Sequence, residues 1–397
     1  MYIWQLNDWQ QGSSPAFHWQ EEHLRPLLEQ LKQLQMHLLA THHSHESAHP
    51  ETTLNTTQLN TARLDALVQN ALRTSEIEGE ILNAESVRSS VVNKLGLENA
   101  GLPVGRKDGT AQTDALAKLL IDATTQVEQP ISVASLCQWQ AALFVVPDSL
   151  NLVKVGQLRG DAPMQVVSGR VDSPSVHFEA PPRDTLDAEM QRFVQWFNCS
   201  PATLDPHLRA AITHLWLVTL HPFDDGNGRV TRALTDRALA QADETSIRYH
   251  SNSAAIMARR SEYYDVLLQS QSGSLDITPW LSWFLNVLLD AMQQGQHRFK
   301  RVLCKTRFWQ LHAQTVLNER QVKVLNRLLD TWGEEFTSGI NASKYQSLAK
   351  VSKATATREL ADLLNKDCLH KLPGGGRSTR YALCRGSHPE LDLDGTA

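Results

Sequence analysis

Cysteine is scarce and unpatterned in this sequence: five residues, at positions 137, 199, 304, 368 and 384, in a chain of 397. An odd number without a C-x-x-C pair argues against a disulfide-stapled scaffold and a cysteine-rich zinc site, and suits a reducing compartment. No apolar stretch approaches the ~20 residues that cross a bilayer. The opening Met1-Tyr2-Ile3-Trp4-Gln5-Leu6-Asn7-Asp8 has neither the basic region nor the apolar region of a secretory signal. A soluble, cytoplasmic protein with no membrane partner is therefore expected. There is no G-x-x-x-x-G-K, which excludes a Walker-type ATPase, and no internal repeat. Charge of one sign is also lacking: 38 Lys and Arg against 43 Asp and Glu leave −5, which excludes a generally basic nucleic-acid coat protein.

What is present is enough apolar material, 41% of residues, to fill sizeable cores. The length suggests two or three domains. The near-neutral average hides a split. Between Gln296 and Arg385 there are 17 basic and 7 acidic residues, a local +10, so the remainder carries −15. A basic C-terminal module follows an acidic body.

Apolar spacing of helical period dominates the body. Helices are expected over 21–39, from Leu64 to Gly79, through Val87 to Lys94, and over 111–124, 133–144, 185–197, 206–220, 229–240, 254–269 and 278–294. The His-rich stretch Thr41–Pro50 reads as a polar connector, because no carboxylate or Cys pattern completes a metal site around it. Residues 164–178 differ. Two β-branched runs flank a Gly/Asp/Ser/Pro cluster, the pattern of a small β-hairpin. In the basic module, three short helical patterns precede two strand-like runs around Gly374-Gly375-Gly376, the pattern of a winged helix-turn-helix.

The chemistry concentrates in His221-Pro222-Phe223-Asp224-Asp225-Gly226-Asn227-Gly228-Arg229-Val230-Thr231-Arg232. An apolar helix delivers His221 at its end, Pro222 stops it, and Phe223 anchors the loop. Gly226 and Gly228 leave the backbone free to turn its N–H groups onto one point, which the dipole of the next helix also faces. That is an anion site suited to a phosphate chain. Arg229 and Arg232, three apart, share one helix face and can fork onto phosphate oxygens. Asp225 is a hard oxygen ligand for Mg²⁺. His221 titrates near neutrality and can act as a base. A glycine-rich turn with a capping histidine accounts for any one of these features, but not for all of them within twelve residues. Together they point to transfer of a phosphorus-containing group from a nucleotide to a hydroxyl.

At these residues the sequence resembles the Fic-domain family, whose signature H-x-F-x-(D/E)-G-N-G-R-x-x-R is matched at every specified position. The resemblance implies an all-α core, about 105–290, that transfers AMP from ATP to a Ser, Thr or Tyr hydroxyl of a target protein. It implies His221 as general base, Asp225 on Mg²⁺, Gly226, Asn227 and Gly228 in the anion hole, and Arg229 and Arg232 on the distal phosphates. Family members that phosphorylate have Lys where Gly228 stands.

A second family signature, (S/T)-x-x-x-E-(G/N), is met by Thr74, Glu78 and Gly79 within a helix at about 64–79, upstream of the core. The resemblance implies an inhibitory helix whose Glu78 pairs with Arg232 and denies it to the γ-phosphate. It also implies a flap at 164–178, with Val166, Val167, Val176 and His177 offering a strand edge to a target segment. Tyr263 and Tyr264 are placed either beside the adenine or in the core.

The expected fold is mainly α: an N-terminal helical domain (1–104), a Fic core with its hairpin flap (105–295), a winged helix-turn-helix (296–385) and a tail (386–397). The expected function is a protein adenylyltransferase restrained by Glu78, using ATP and Mg²⁺ and able to modify itself. Two alternatives stay open: a nucleotide-sensing DNA-binding regulator, and an enzyme that removes AMP. Lys353, Arg358, Lys371, Arg377 and Arg380 would meet DNA phosphates through the winged helix. A protein-docking or homodimerising role for that module is carried equally.

Overall fold

A computed structural model describes residues 1–9, 11–48, 53–97, 107–145, 153–170, 173–242, 249–331, 339–373 and 379–384. Side chains of 38–59 are outside that description, as are the glycine turn at 374–376, Arg377 and the tail at 386–397. The fold is mainly helical. The helices run α1 Glu21–Ala48, α2 Thr53–Ile77, α3 Ala84–Leu95, α4 Ala111–Thr125, α5 Val133–Ala142, α6 Arg183–Cys199, α7 Pro206–Leu220, α8 Asn227–Ala242, α9 Asn252–Ala258, α10 Arg260–Ser270, α11 Thr278–Leu311, α12 Glu319–Asp330, α13 Ala342–Ala349 and α14 Lys353–Asn365. Two antiparallel hairpins, β1 Gln165–Arg170 with β2 Ser173–Glu179 and β3 Leu369–Lys371 with β4 Tyr381–Leu383, are the sheets among the described residues. None of the described helices is long and apolar enough to cross a membrane.

The chain divides into two compact units, Met1–Gln296 and His297–Ala397. In the first, α7 is the central element. Asp205 caps it by accepting from the His207 N–H (2.9 Å), and Pro206 occupies its first turn, where a missing N–H costs nothing. Every residue of α7 from Ala210 to Leu220 is buried, as expected of a helix apolar on all sides. α8 packs along it; α4, α2 and α5 also pack on α8, and α3 packs on α2 and α4. The segment before residue 105 shares this core: Leu64, Val68, Ala71, Ile77 and Val91 lie in one cluster with Leu215, Trp216 and Leu234.

The tryptophans near the N-terminus have structural roles. Two 3₁₀ turns, Ile3–Gln5 and Asn7–Trp9, bury Ile3 and Trp9. The Trp9 indole N–H donates to Glu189 (3.2 Å), and its ring meets Trp216 edge-on. The Trp4 indole donates to the Glu179 carbonyl (2.7 Å), and Tyr2 packs edge-on against Phe178, so both brace the base of the β1–β2 hairpin.

In the second unit, α12, α13 and α14 surround Val324, Leu325, Leu328, Tyr345, Leu360 and Leu363. Glu359 ties the three helices together. It accepts from Arg320 (2.6 Å) and from the Tyr345 hydroxyl (2.9 Å).

Several elements depart from the expected bounds. α1 continues through Ala48, so the stretch expected to be a connector is helical up to Ala48; no Gly or Pro interrupts it before Pro50. α2 starts at Thr53 rather than near Leu64. One helix expected over 254–269 is two, because Arg259 leaves the helical region (φ −122°), its N–H bonds Ile256, and its guanidinium pairs with Asp290. α11 runs on to Leu311.

Candidate active site

The site is built where α7 hands over to α8. His221 ends α7 in the left-handed region (φ 47°, ψ 57°), its N–H still bonded to Leu217. For a residue with a side chain that conformation costs about 1–3 kcal/mol and persists only when neighbours enforce it. Nδ1 of His221 lies 3.1 Å from the Val218 carbonyl. Nδ1 therefore carries the proton and donates, which leaves Nε2 as the basic atom. Phe223 is fully buried. The Asn227 side chain clasps its backbone from both ends, accepting from the Phe223 N–H (2.9 Å) and donating to its carbonyl (2.7 Å). Asn227 thus spends its amide on the loop and offers a ligand only its own backbone. Gly226 turns the chain at φ 89°, where a Cβ would also press on Leu143 at 3.0 Å. The first turn of α8 then points its unpaired N–H groups out of the loop.

Both motif arginines are held by carboxylates from the end of α2. Arg232, 3% exposed, donates from Nε to the Thr74 hydroxyl (2.8 Å) and from Nη2 to the Thr74 carbonyl (2.8 Å) and to Glu78 Oε1 (2.7 Å). Gly79 turns the chain at φ 84° just past α2. Two residues beyond Glu78, Glu80 therefore reaches the neighbouring arginine: Arg229 Nη1 donates to Glu80 Oε2 (3.0 Å), and Gln112 donates to the other oxygen. Arg229 also lies over the Phe144 ring, 5.6 Å from its centroid. Gly228 is what lets Glu78 in, since a Cβ there would stand 2.0 Å from Glu78 Oε1. One buried donor on each arginine, Nη1 of Arg232 and Nε of Arg229, has no partner. Unsatisfied buried donors are costly, and an anionic ligand is what would satisfy these.

The electrostatics follow the geometry. Burial raises the Glu78 carboxyl, but Arg232, with Arg229 and His221 behind it, outweighs burial and holds it below the usual carboxylate range. His221 is held below its ordinary value, by burial first and by the charge of Arg159, against the Val218 carbonyl and the charges of Glu78 and Asp225. It is neutral at pH 7, the form a base requires.

Asp225 accepts from the Gly226 N–H (2.5 Å), lies 3.8 Å from Arg229, and keeps 55% of its side chain exposed. No group of three or more His, Cys, Asp or Glu poised for a metal occurs among the described residues. The donor set thus fits a hydrated Mg²⁺ held by one carboxylate plus phosphate oxygens, and does not fit an all-protein metal cage.

Tyr263 and Tyr264 separate. Tyr263 is 2% exposed, with its hydroxyl 2.9 Å from Nε2 of buried His214, so it is a core residue behind Arg232 and does not face a ligand. Tyr264 is partly exposed; its hydroxyl meets the Ile77 carbonyl (3.3 Å), and Arg260 donates to the same carbonyl (3.0 Å). In the hairpin, Val167 pairs with Val176, and both are about half exposed, 50% and 43%. Val166 is less exposed, and His177 is exposed.

Three residues absent from the sequence reading support the site. Glu80 was legible in principle, standing two places past Glu78 across a glycine. Gln140 and Arg159 had no local signal. Gln140 reaches from α5 to donate to the Asp225 carbonyl (3.2 Å) and accept from the Gly156 N–H (2.7 Å). Arg159 reaches the carbonyl of His221.

Comparison with known proteins agrees with this geometry. Residues 130–239 match the Fic/DOC family, and residues 2–97 match a domain of unknown function, DUF4172. The protein is 27% identical over 224 residues to a protein named protein adenylyltransferase Fic from Drosophila sechellia, across 56% of this chain and 41% of that one. The like-named protein of Culex quinquefasciatus is also 27% identical over 224 residues, 40% of its length. The chain thus spans less than half the length of these curated relatives. The crystal structure of a Fic-domain-containing signalling protein from Bacteroides thetaiotaomicron shares the fold, with a TM-score of 0.50 at 19% identity over 68% of this chain and 97% of that one. His221, the glycine loop and both arginines all lie inside the span, residues 130–239, that matches the Fic/DOC family.

Proposed function

We propose that this chain is a protein adenylyltransferase, moving AMP from ATP to a Ser, Thr or Tyr hydroxyl of a target protein, and that Glu78 restrains it. The observation that carries the reading is the pairing of each motif arginine with a carboxylate from the end of α2, beside a neutral histidine. Arginines placed for the β- and γ-phosphates are held by oxyanions that phosphate oxygens would replace.

In the reaction, Nε2 of His221 takes the proton of the target hydroxyl as its oxygen attacks the α-phosphorus. The bond from that phosphorus to the bridging oxygen of the β-phosphate breaks, and pyrophosphate leaves. Backbone N–H groups at 226–228 orient the phosphates, and Arg229 and Arg232 carry the growing negative charge. Asp225 would hold Mg²⁺, which when bound neutralises the phosphates. The exposed edge of β1–β2 would pair with an extended target segment, bringing its hydroxyl towards His221. Tyr264 is the remaining candidate for the adenine side.

Glu78→Gly is expected to raise transfer of label from α-labelled ATP, self-modification included, while His221→Ala abolishes it. An equal rate in Glu78→Gly and the parent chain would reject the restraint. Removal of AMP is the competing direction within the same site, because Glu78 lies near enough to His221 to influence it. Loss of label from a pre-modified target in the parent chain, absent in Glu78→Gly, would select that direction.

The second unit supports a winged-helix reading. α14 buries Ala356, Leu360 and Leu363 on one face and exposes Lys353 and Arg358 on the other, while Lys371 is exposed on β3. DNA binding that weakens steeply with salt would place this unit on phosphates, as a nucleotide-responsive regulator requires; salt-insensitive self-association would place it on a second copy. A cytoplasmic location accords with five free thiols.

A further inference from the structure

We propose that Arg159 is a positioning residue that couples the catalytic histidine to the target-docking hairpin. The inference rests on the adenylyltransferase reading for its kinetic consequence, but not for its geometry.

Arg159 stands in the loop before β1, 2% exposed; among the described residues it forms no ion pair, although the charge of Asp224 acts on it. A buried guanidinium usually meets an anion. This one meets backbone carbonyls from two separate segments. Nε donates to the carbonyl of His221 (2.9 Å), and Nη2 donates to the carbonyl of Pro181, directly after the hairpin. Its own N–H donates to the Pro222 carbonyl (2.9 Å), and its carbonyl accepts from Arg183 Nε at the start of α6 (2.9 Å). Asp224 completes the lacing, accepting from the Lys154 N–H (2.9 Å) and more weakly from the Gly160 N–H (3.4 Å). At the hairpin base, the Ala180 N–H bonds the Met164 carbonyl (2.9 Å).

One rigid, planar fork therefore grips both the left-handed turn that aims His221 and the exit of the strand pair that receives the target. The fork geometry is what lysine lacks, since its single ammonium cannot lie in line with two carbonyls set apart in this way. A target strand seated on the hairpin is thus referenced to the base through the Arg159 side chain, and slack there misplaces the hydroxyl from Nε2 without touching the phosphate site. The charge has a second effect. Arg159 opposes protonation of His221, whereas Glu78 from α2 and Asp225 from the motif loop favour it.

The test compares Arg159→Met and Arg159→Lys in the full-length Glu78→Gly chain. ATP affinity, measured by calorimetry, is expected to stay within a few-fold. The kcat for α-label transfer to a target is expected to fall about a hundredfold in Arg159→Met, the cost of a misplacement of roughly 1 Å. Its acid limb should move to higher pH. Arg159→Lys should recover the pH profile and only part of kcat. Without nucleotide, amide exchange at His221 and over 176–180 should quicken together in Arg159→Met. A folded Arg159→Met chain with unchanged kcat and unchanged exchange overturns the proposal. So does one that loses ATP affinity in step with kcat, which marks general collapse of the site. Should Arg159→Met not fold, Arg159→Lys decides, and equality with its parent in kcat and exchange overturns it. Should Glu78→Gly itself transfer no AMP, the adenylyltransferase reading fails, and the exchange experiment still decides the role of Arg159.

Discussion

At the level of single residues, the site is a contest for two guanidinium groups. Glu78 and Glu80 occupy Arg232 and Arg229 where a triphosphate would compete. Glu80→Gln in the Glu78→Gly background is therefore expected to tighten ATP further, by several-fold in calorimetry, because a neutral amide releases Arg229. Gly228→Ala makes a separate demand. Its Cβ would overlap Glu78 Oε1, so the Glu78–Arg232 pair cannot close, and the melting temperature should fall by a few degrees, the shift that follows from about 1 kcal/mol in a domain of this size. Acid sensitivity has a defined origin behind the site. Burial pulls His214 from 6.5 down to about 3. Between those values the unfolded chain binds a proton that the folded chain does not, so stability is present above pH 6.5 and is lost as the pH falls towards 3. The slope reaches about 1.4 kcal/mol per pH unit. Denaturant titrations at pH 7 and pH 5 should show this loss, and His214→Gln should reduce it. The gathering of His221, Asp225 and the two arginines at one site was legible in sequence because they share one twelve-residue run. Gln140 and Arg159 were not, because each acts across a distance in sequence that only the packed helices close; Glu80 was legible only through its place beside Glu78.

Among the secondary-structure elements, the proposed restraint is a property of α2 lying against α8. Asn70 donates to Asp236 (2.7 Å), and one turn on in α2 and one turn back in α8 Thr74 receives Arg232. Ser251, the cap of α9, donates to the Asn70 side-chain oxygen Oδ1 (3.1 Å), so the same node anchors a third helix. Asn70→Ala should therefore loosen α2, costing about 1–3 kcal/mol for the buried groups left unpaired and raising basal AMP transfer with Glu78 still in place. Denaturant unfolding and α-label transfer on the same preparation check both effects. The order of helices was readable from apolar periodicity, and the hairpin from its alternating β-branched residues. Helix ends were less so. α1 passes through a His-rich stretch that lacks any stop signal, and α10 separates from α9 at Arg259 through a salt bridge to distant α11, which local sequence does not encode. The part that Tyr2 and Trp4 play in bracing the hairpin base was not readable, because it depends on Phe178 and Glu179, far along the chain. Trp4→Ala should raise KM for the target several-fold and leave ATP affinity unchanged, as steady-state kinetics and calorimetry on one preparation would show.

For the molecule as a whole, the charge split visible in the sequence falls at the boundary between two units, each with its own apolar core. The acidic unit holds the motif, the carboxylates paired with its arginines, and the hairpin. The basic unit packs three helices and a short strand pair around Leu325. A core deletion such as Leu325→Ala is expected to cost 297–397 about 2–5 kcal/mol of stability while leaving the unfolding of 1–296 unchanged, which hydrogen exchange resolved along the chain would show. The central claim concerns the first unit alone: phosphates and carboxylates compete for the same arginines, and His221 serves a hydroxyl that attacks the α-phosphorus. The most direct measurement gives purified Glu78→Gly and Glu78→Gly/His221→Ala chains ATP labelled on either the α- or the γ-phosphate, and counts label bound to protein. Protein labelled from the α-position only, and only when His221 is present, is the predicted result. Label arriving from the γ-position, or α-label that persists without His221, would contradict it.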